Sequence, residues 1–255
     1  MRKNLVLGPL VATLLISVSC RSHYSLSGVS RTRILIDSRY DANPDQAAAA
    51  FLAPYKQQVD SIMGPVVDNV AHDMDVARPE SDLSNLLSDI LVWAAPQYGE
   101  TPDLGIYNMG GIRAALTRGE VTYGDVLDVA PFENKICFVT LNGELLTQLF
   151  QQIAKRGGEG VSSSVRLVIT NDGQLRSATV NGKPIDPQAQ YRLTTIDYLL
   201  GGGDGMTALT QGTNVIAPKE DSYNTRFIIM DYFRKMQAQG RTVDAREEGR
   251  ITIEK

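Results

Sequence analysis

Apolar positions recur at two different spacings along this chain, and their alternation sketches its organisation. Short runs rich in branched residues predict strands at residues 32–37 (TRILID), 65–70 (PVVDNV), 103–109 (DLGIYNM), 135–141 (KICFVTL) and 191–199 (YRLTTIDYL). Longer segments with helical spacing lie between them. Residues 43–63 predict a helix opened by Asn43 or Asp45, with Pro54 placed to kink it. Residues 81–95 predict a second, capped by Ser81 or Asp82, and residues 122–130 a short one capped by Thr122. Residues 142–157 predict a helix that stops at Gly157, and a last helix falls near 221–239 before a closing strand at 250–254. Between 164 and 185 two turn signals, Asn-Asp-Gly and Asn-Gly, predict a hairpin-rich stretch. No internal repeat is evident. The pattern predicts a mixed α/β (α+β) domain with both antiparallel and crossover connections.

The N-terminus changes this picture, because it reads as a processing signal rather than as part of the fold. Arg2 and Lys3 precede an apolar stretch from Leu5 to about Val18, too short to span a bilayer. It ends in "SVSC", which resembles a bacterial lipobox with Cys20 as the lipidated first residue, although Ser17 stands where an aliphatic residue is commoner. Ordinary cleaved secretion is the alternative. The expected organisation is a signal peptide at 1–19, a polar tether at 20–31 and a domain at 32–255. The expected location is the bacterial cell envelope, facing the periplasm, with membrane contact through the lipid anchor only. The one other cysteine, Cys137, lies in a strand-like run and is most simply a buried thiol.

Composition is that of an ordinary folded domain: 255 residues, 43% hydrophobic and 21% charged. A net charge of −4 gives no global basis for a nucleic-acid partner. Catalytic chemistry is hard to find. There are two histidines, His23 and His72, whereas a dinuclear phosphoesterase centre needs several nitrogen and carboxylate ligands. His72 with Asp73 and Asp75 offers a small metal-ligand set, read more simply as a solvated edge. No Gly-x-Ser-x-Gly elbow and no phosphate loop of the Gly-x-x-x-x-Gly-Lys type occurs. The run "GGGDGM" is not a dinucleotide loop, since Met206 takes the third glycine's place and Asp204 would face pyrophosphate with like charge. No catalytic residue and no metal ligand is assigned in this chain.

Three segments suit binding instead. "YNMGGIRAAL" places Asn108 and Arg113 around two glycines just past a strand. An amide pairs with a base edge through one donor and one acceptor, and a guanidinium holds a phosphate by two parallel bonds. "VAPFENK" places Phe132 and Asn134 close together, a pair that alone reads as a core phenylalanine and its neighbour. "DYLLGGGDGM" places Tyr198 and Asp204 around three consecutive glycines. Glycines this dense are expected to let the strand end bend, aiming Tyr198 and Asp204 at one ligand.

Taken in order, "NMGGIR", "PFEN" and "DYLLGGGDGM", preceded by "VARPESDLSNLLSDILVWAA", resemble the C-terminal, substrate-binding domain of 5'-nucleotidases, the group that includes periplasmic UDP-sugar hydrolases. The resemblance covers roughly residues 50–240 and implies a single domain with layered helices and mixed sheets. It implies that Phe132 and Tyr198 clamp a base, that Asn108 and Asn134 read it, that Arg113 binds phosphate or ribose, and that Asp204 takes the ribose hydroxyls. Arg78 lies near a further phosphate-binding arginine of the family, one residue out of register. Family members also carry an N-terminal metallophosphoesterase domain, for which this sequence has neither the length nor the histidine-rich motifs. The expectation is therefore a lipoprotein that binds a nucleotide or nucleoside and works with a separately encoded metallophosphoesterase. No cofactor is expected in this chain, and divalent metals are expected in the partner. The alternative is a non-catalytic, scavenging nucleotide-binding lipoprotein.

Overall fold

The computed structural model describes residues 24–254. The expected signal peptide and Cys20 fall outside that range. The chain divides into two compact units, up to Phe51 and from Leu52 onward.

In the first unit, residues 24–36 have no regular structure and are exposed. This corrects the strand expected at 32–37. Ile34 and Ile36 are 73% and 94% exposed, and the segment pairs with no strand. Branched residues suit a sheet only when a neighbouring strand covers them, and here local propensity has no partner to act on. Helix α1, Gln46–Met63, begins in this unit and continues into the second. Asp45 opens it by accepting from the Ala47 and Ala48 amides at 2.9 and 3.0 Å. Pro54 lies inside it without ending it.

The second unit holds β1 (Val66–Val70), α2 (Asp82–Ala94), β2 (Leu104–Tyr107), β3 (Gly119–Thr122), α3 (Tyr123–Val129), β4 (Ile136–Asn142) and α4 (Gly143–Lys155). These are followed by β5 (Gly160–Val161), β6 (Val165–Thr170), β7 (Leu175–Val180), β8 (Lys183–Pro184), β9 (Gln190–Ile196), α5 (Asp197–Leu200), β10 (Thr213–Ile216), α6 (Thr225–Ala238) and β11 (Ile251–Glu254). The central sheet runs β10-β4-β9-β2-β5. β2 pairs parallel with β9, and β4 pairs antiparallel with β9 in register from Ile136↔Ile196 to Asn142↔Gln190. A second sheet runs β11-β6-β7-β8, and β1 pairs with β3 in a two-stranded ribbon. The two turn signals between 164 and 185 become the tight β6-β7 and β7-β8 links. Gly173, Asn181 and Gly182 there take positive φ of 78°, 51° and 73°.

Helix α2 shows how the sequence builds the core. Ser81 and Ser84 cap each other reciprocally, each hydroxyl accepting from the other's amide. Leu83, Leu87, Ile90 and Leu91 then recur on one face and are buried. Each such side chain contributes about 1.5–3 kcal/mol relative to exposure. The buried Cys137 lies on β4, and burial pushes its thiol up to about 12.

This topology decides where a site can form. β2 and β9 end at the same edge of the sheet, and antiparallel β4 begins there. The segments just past β2 and β9 and just before β4 therefore meet, at the strand ends where ligands of open α/β sheets bind. They are the three segments that carry the candidate residues.

Candidate functional site

Asn108 follows β2 directly and is 4% exposed. A glycine is required behind it: a Cβ on Gly111 would lie 2.7 Å from the Asn108 Oδ1. Tyr198 sits in α5, the short helix that continues β9. Gly203 lies under its ring, and a Cβ there would come within 2.6 Å of the ring Cζ. The chain then turns through Gly202 at φ 86° and Asp204 at φ 57°. The dense glycines thus let the backbone pass beneath an aromatic ring and bring Asp204 back to face it.

Phe132 and Asn134 are set by α6. Thr225, at its start, donates its amide to the Asn134 carbonyl at 2.9 Å. The Arg226 side chain donates to the carbonyls of Ala130 and Pro131 at 3.1 and 2.6 Å. A buried guanidinium holding two carbonyls fixes the loop that presents Phe132.

The three segments line one cleft of about 230 Å³, walled by Asn108, Gly110, Gly111, Phe132, Asn134, Tyr198 and Asp204. Five of the six residues singled out in the sequence meet there. Arg113, the sixth, does not line it. It is exposed on the same loop, its Nη1 3.4 Å from the Gly110 carbonyl. Phe132 and Tyr198 are 49% and 46% exposed, although both are large aromatics. Phe132 is therefore no core residue. Two half-exposed rings in one concave site mark a surface shaped to meet something.

Polar groups converge on Asp204. Its Oδ2 accepts from Asn108 Nδ2 at 3.1 Å, and its Oδ1 from the Tyr198 hydroxyl at 3.3 Å. The Asn108 Oδ1 is buried without a partner. It packs against Gly111, so the amide stands with its nitrogen on Asp204.

Sequence reasoning missed the layer behind these residues. Arg156 Nη2 lies 3.1 Å from Asp204 Oδ1, and Arg156 Nε donates to Glu159 Oε1 at 2.6 Å. The Glu159 side chain is fully buried. It also accepts from Arg78 Nη2 at 2.7 Å and from the Met109 amide at 2.6 Å. Burial pulls the Arg156 guanidinium pKa down, but Glu159 and Asp204 outweigh it and hold the group above its ordinary value. Arg78 does not line the cleft; with Val76, Ala77, Met109 and Gly110 it lines a neighbouring hollow that shares Gly110 with the cleft.

His72 lies apart from these groups, between Asp82 at 3.2 Å and Asp244 at 3.3 Å. Among the described residues, no group of three or more His, Cys, Asp and Glu side chains is arranged to hold a metal ion.

Comparison with known proteins places the chain among relatives. Residues 63–211 match the family described as 5'-nucleotidase, C-terminal domain. A cell wall protein of Listeria monocytogenes is 29% identical over 186 residues, covering 67% of this chain and 23% of that protein. A 5'-nucleotidase of Vibrio vulnificus is 24% identical over 239 residues, covering 90% of this chain and 40% of that protein. The crystal structure of a 5'-nucleotidase precursor from Thermus thermophilus superposes with a TM-score of 0.71 at 27% identity, covering 84% of this chain and 44% of that one. The chain thus spans less than half the length of each of these proteins.

Proposed function

We propose, for a chain that belongs to the 5'-nucleotidase C-terminal domain family, that it is the nucleoside- and nucleotide-holding part of an enzyme hydrolysing nucleoside 5'-phosphates. A separate chain supplies the metallophosphoesterase domain. The observation that carries this reading is the cleft itself, where Phe132 and Tyr198 stand half-exposed with Asn108 and Asp204 between them. Two rings stack on any base, at about 1–3 kcal/mol per base. A volume of about 230 Å³ lies below the roughly 300–1,000 Å³ of drug-sized pockets, which suits a flat base with the phosphate left outside. Arg113, exposed on the rim loop, then reaches that phosphate. Asn108 and Asn134 meet the base edge and Asp204 the ribose hydroxyls. Divalent metals held by the partner would supply an activated water, and this chain would position the phosphate for it.

The test is a phosphatase assay in Mn²⁺ or Zn²⁺. The purified chain alone is expected not to hydrolyse AMP, and addition of the partner phosphoesterase is expected to bring turnover. Metal-dependent hydrolysis by the chain alone, lost in His72→Ala, would contradict the two-chain arrangement. Binding of AMP without turnover under any partner would favour a scavenging role.

The location we propose is the bacterial cell envelope, facing the periplasm, with Cys20 carrying a lipid. Among the described residues no helix is long and apolar enough to cross a membrane, and the "SVSC" segment supports the anchor. Labelled fatty acid is expected in the wild-type protein and not in Cys20→Ser. Absence of label from both would leave ordinary secretion as the better account.

A further inference from the structure

We propose that Arg156, held by Glu159, is a positioning residue of the cleft that makes it selective for a neutral vicinal diol, the ribose edge of a ribonucleoside. This rests on the nucleoside reading of the cleft. Arg156 grips Asp204 at two points: Nη2 lies 3.1 Å from its Oδ1, and Nη1 donates to its backbone carbonyl at 3.3 Å. Such a grip matters because Asp204 stands in the left-handed region at φ 57°, which a non-glycine residue enters at a cost. Glu159 fixes the opposite edge of the guanidinium through Nε at 2.6 Å. Its other oxygen holds the Met109 amide at 2.6 Å, next to Asn108, whose Nδ2 donates to Asp204 Oδ2 at 3.1 Å. One buried carboxylate therefore sets the relative position of two of the three segments that form the cleft.

The consequence for the ligand follows from charge and from lone pairs. Arg156 neutralises Asp204, so the carboxylate draws hydroxyl donors rather than a cation. An ionised carboxylate offers about four acceptor positions. Tyr198 takes one on Oδ1 and Asn108 one on Oδ2, while Arg156 Nη2 pairs its charge with Oδ1 at 3.1 Å. One position on Oδ2 stays open. The Tyr198 contact, the longest at 3.3 Å, is the one a second hydroxyl would displace.

Calorimetric titration of the full chain with adenosine and with 2',3'-dideoxyadenosine tests this. Arg156→Met is expected to weaken adenosine about tenfold and the dideoxy analogue less than about twofold, since stacking is common to both. Arg156→Lys keeps the charge with one contact and is expected to recover adenosine binding to within about threefold of wild type, the dideoxy analogue unchanged. Equal loss for both ligands, or no loss for either, would overturn the positioning role while leaving the nucleoside reading intact. If Arg156→Met does not fold, Arg156→Gln decides: both ligands weakened alike, or neither weakened, overturns it. Failure of the wild-type chain to bind adenosine would sink the nucleoside reading and this inference together.

Discussion

Tyr198→Ala is expected to weaken adenosine binding by about 5- to 150-fold, with Phe132→Ala close behind, while both variants stay folded. The range is the loss of one stacking face, about 1–3 kcal/mol. Both rings keep nearly half their surface in water, at 46% and 49% exposure. Their truncation therefore leaves no closed cavity and should cost well under the roughly 3–5 kcal/mol of a core Phe→Ala change. Phe150 on α4, fully buried, is the contrasting control for that core cost. Tyr198→Phe keeps the ring over Gly203 and gives up only the 3.3 Å bond to Asp204. Since a ribose hydroxyl takes the place of that bond, adenosine affinity should stay within about threefold of wild type. Calorimetric titration and a melting curve on each variant check this. Unchanged affinity in a folded Tyr198→Ala protein would remove the aromatic clamp, and with it the assignment of Asp204.

The second large effect is on stability. Glu159→Ala is expected to destabilise the chain by about 3 kcal/mol. Removing one partner of a buried ion pair costs about 3–5 kcal/mol, because charges and donors are left unmet. Here the lower end applies: Arg78 and Arg156 keep 35% and 30% of their side-chain surface in water, which compensates them in part. The Met109 amide, by contrast, is buried and loses its only acceptor in this network. At about 2–4 °C per kcal/mol for a domain of this size, the melting temperature should fall by roughly 6–12 °C. Glu159→Gln keeps an acceptor oxygen but not the charge and should fall between the two. An alanine variant that melts within about 2 °C of wild type would show that the network holds nothing together.

The parts of the site that were legible in the sequence are those with local anomalies. Tyr198 and Asp204 stand beside three glycines that no regular strand tolerates, and Asn108 stands before another pair. Phe132 was legible only through its motif, since a phenylalanine after a proline reads equally well as core; its 49% exposure separates the two. Arg156 and Glu159 gave no such signal. At the end of an amphipathic helix they look like solvated charges, and their partners Arg78, Met109 and Asp204 are brought near only by the fold. The same limit explains the strands. The long runs that became β4 and β9 were legible, although residues 197–199, expected to end the strand, begin α5; β3, β5 and β10, of two to four residues, have no alternation to detect and exist through their pairing. Residues 32–37 fail in the opposite direction, with strand-like residues and no neighbour.

On the reading proposed above, one cleft at the meeting ends of β2, β4 and β9 holds a nucleoside. A crystal structure of the chain soaked with adenosine tests it most directly. The purine is expected between the rings of Phe132 and Tyr198, its edge towards Asn108 and Asn134, with a ribose hydroxyl on Asp204 Oδ2. Adenosine bound elsewhere on the chain, or a cleft left empty at saturating adenosine, would contradict it.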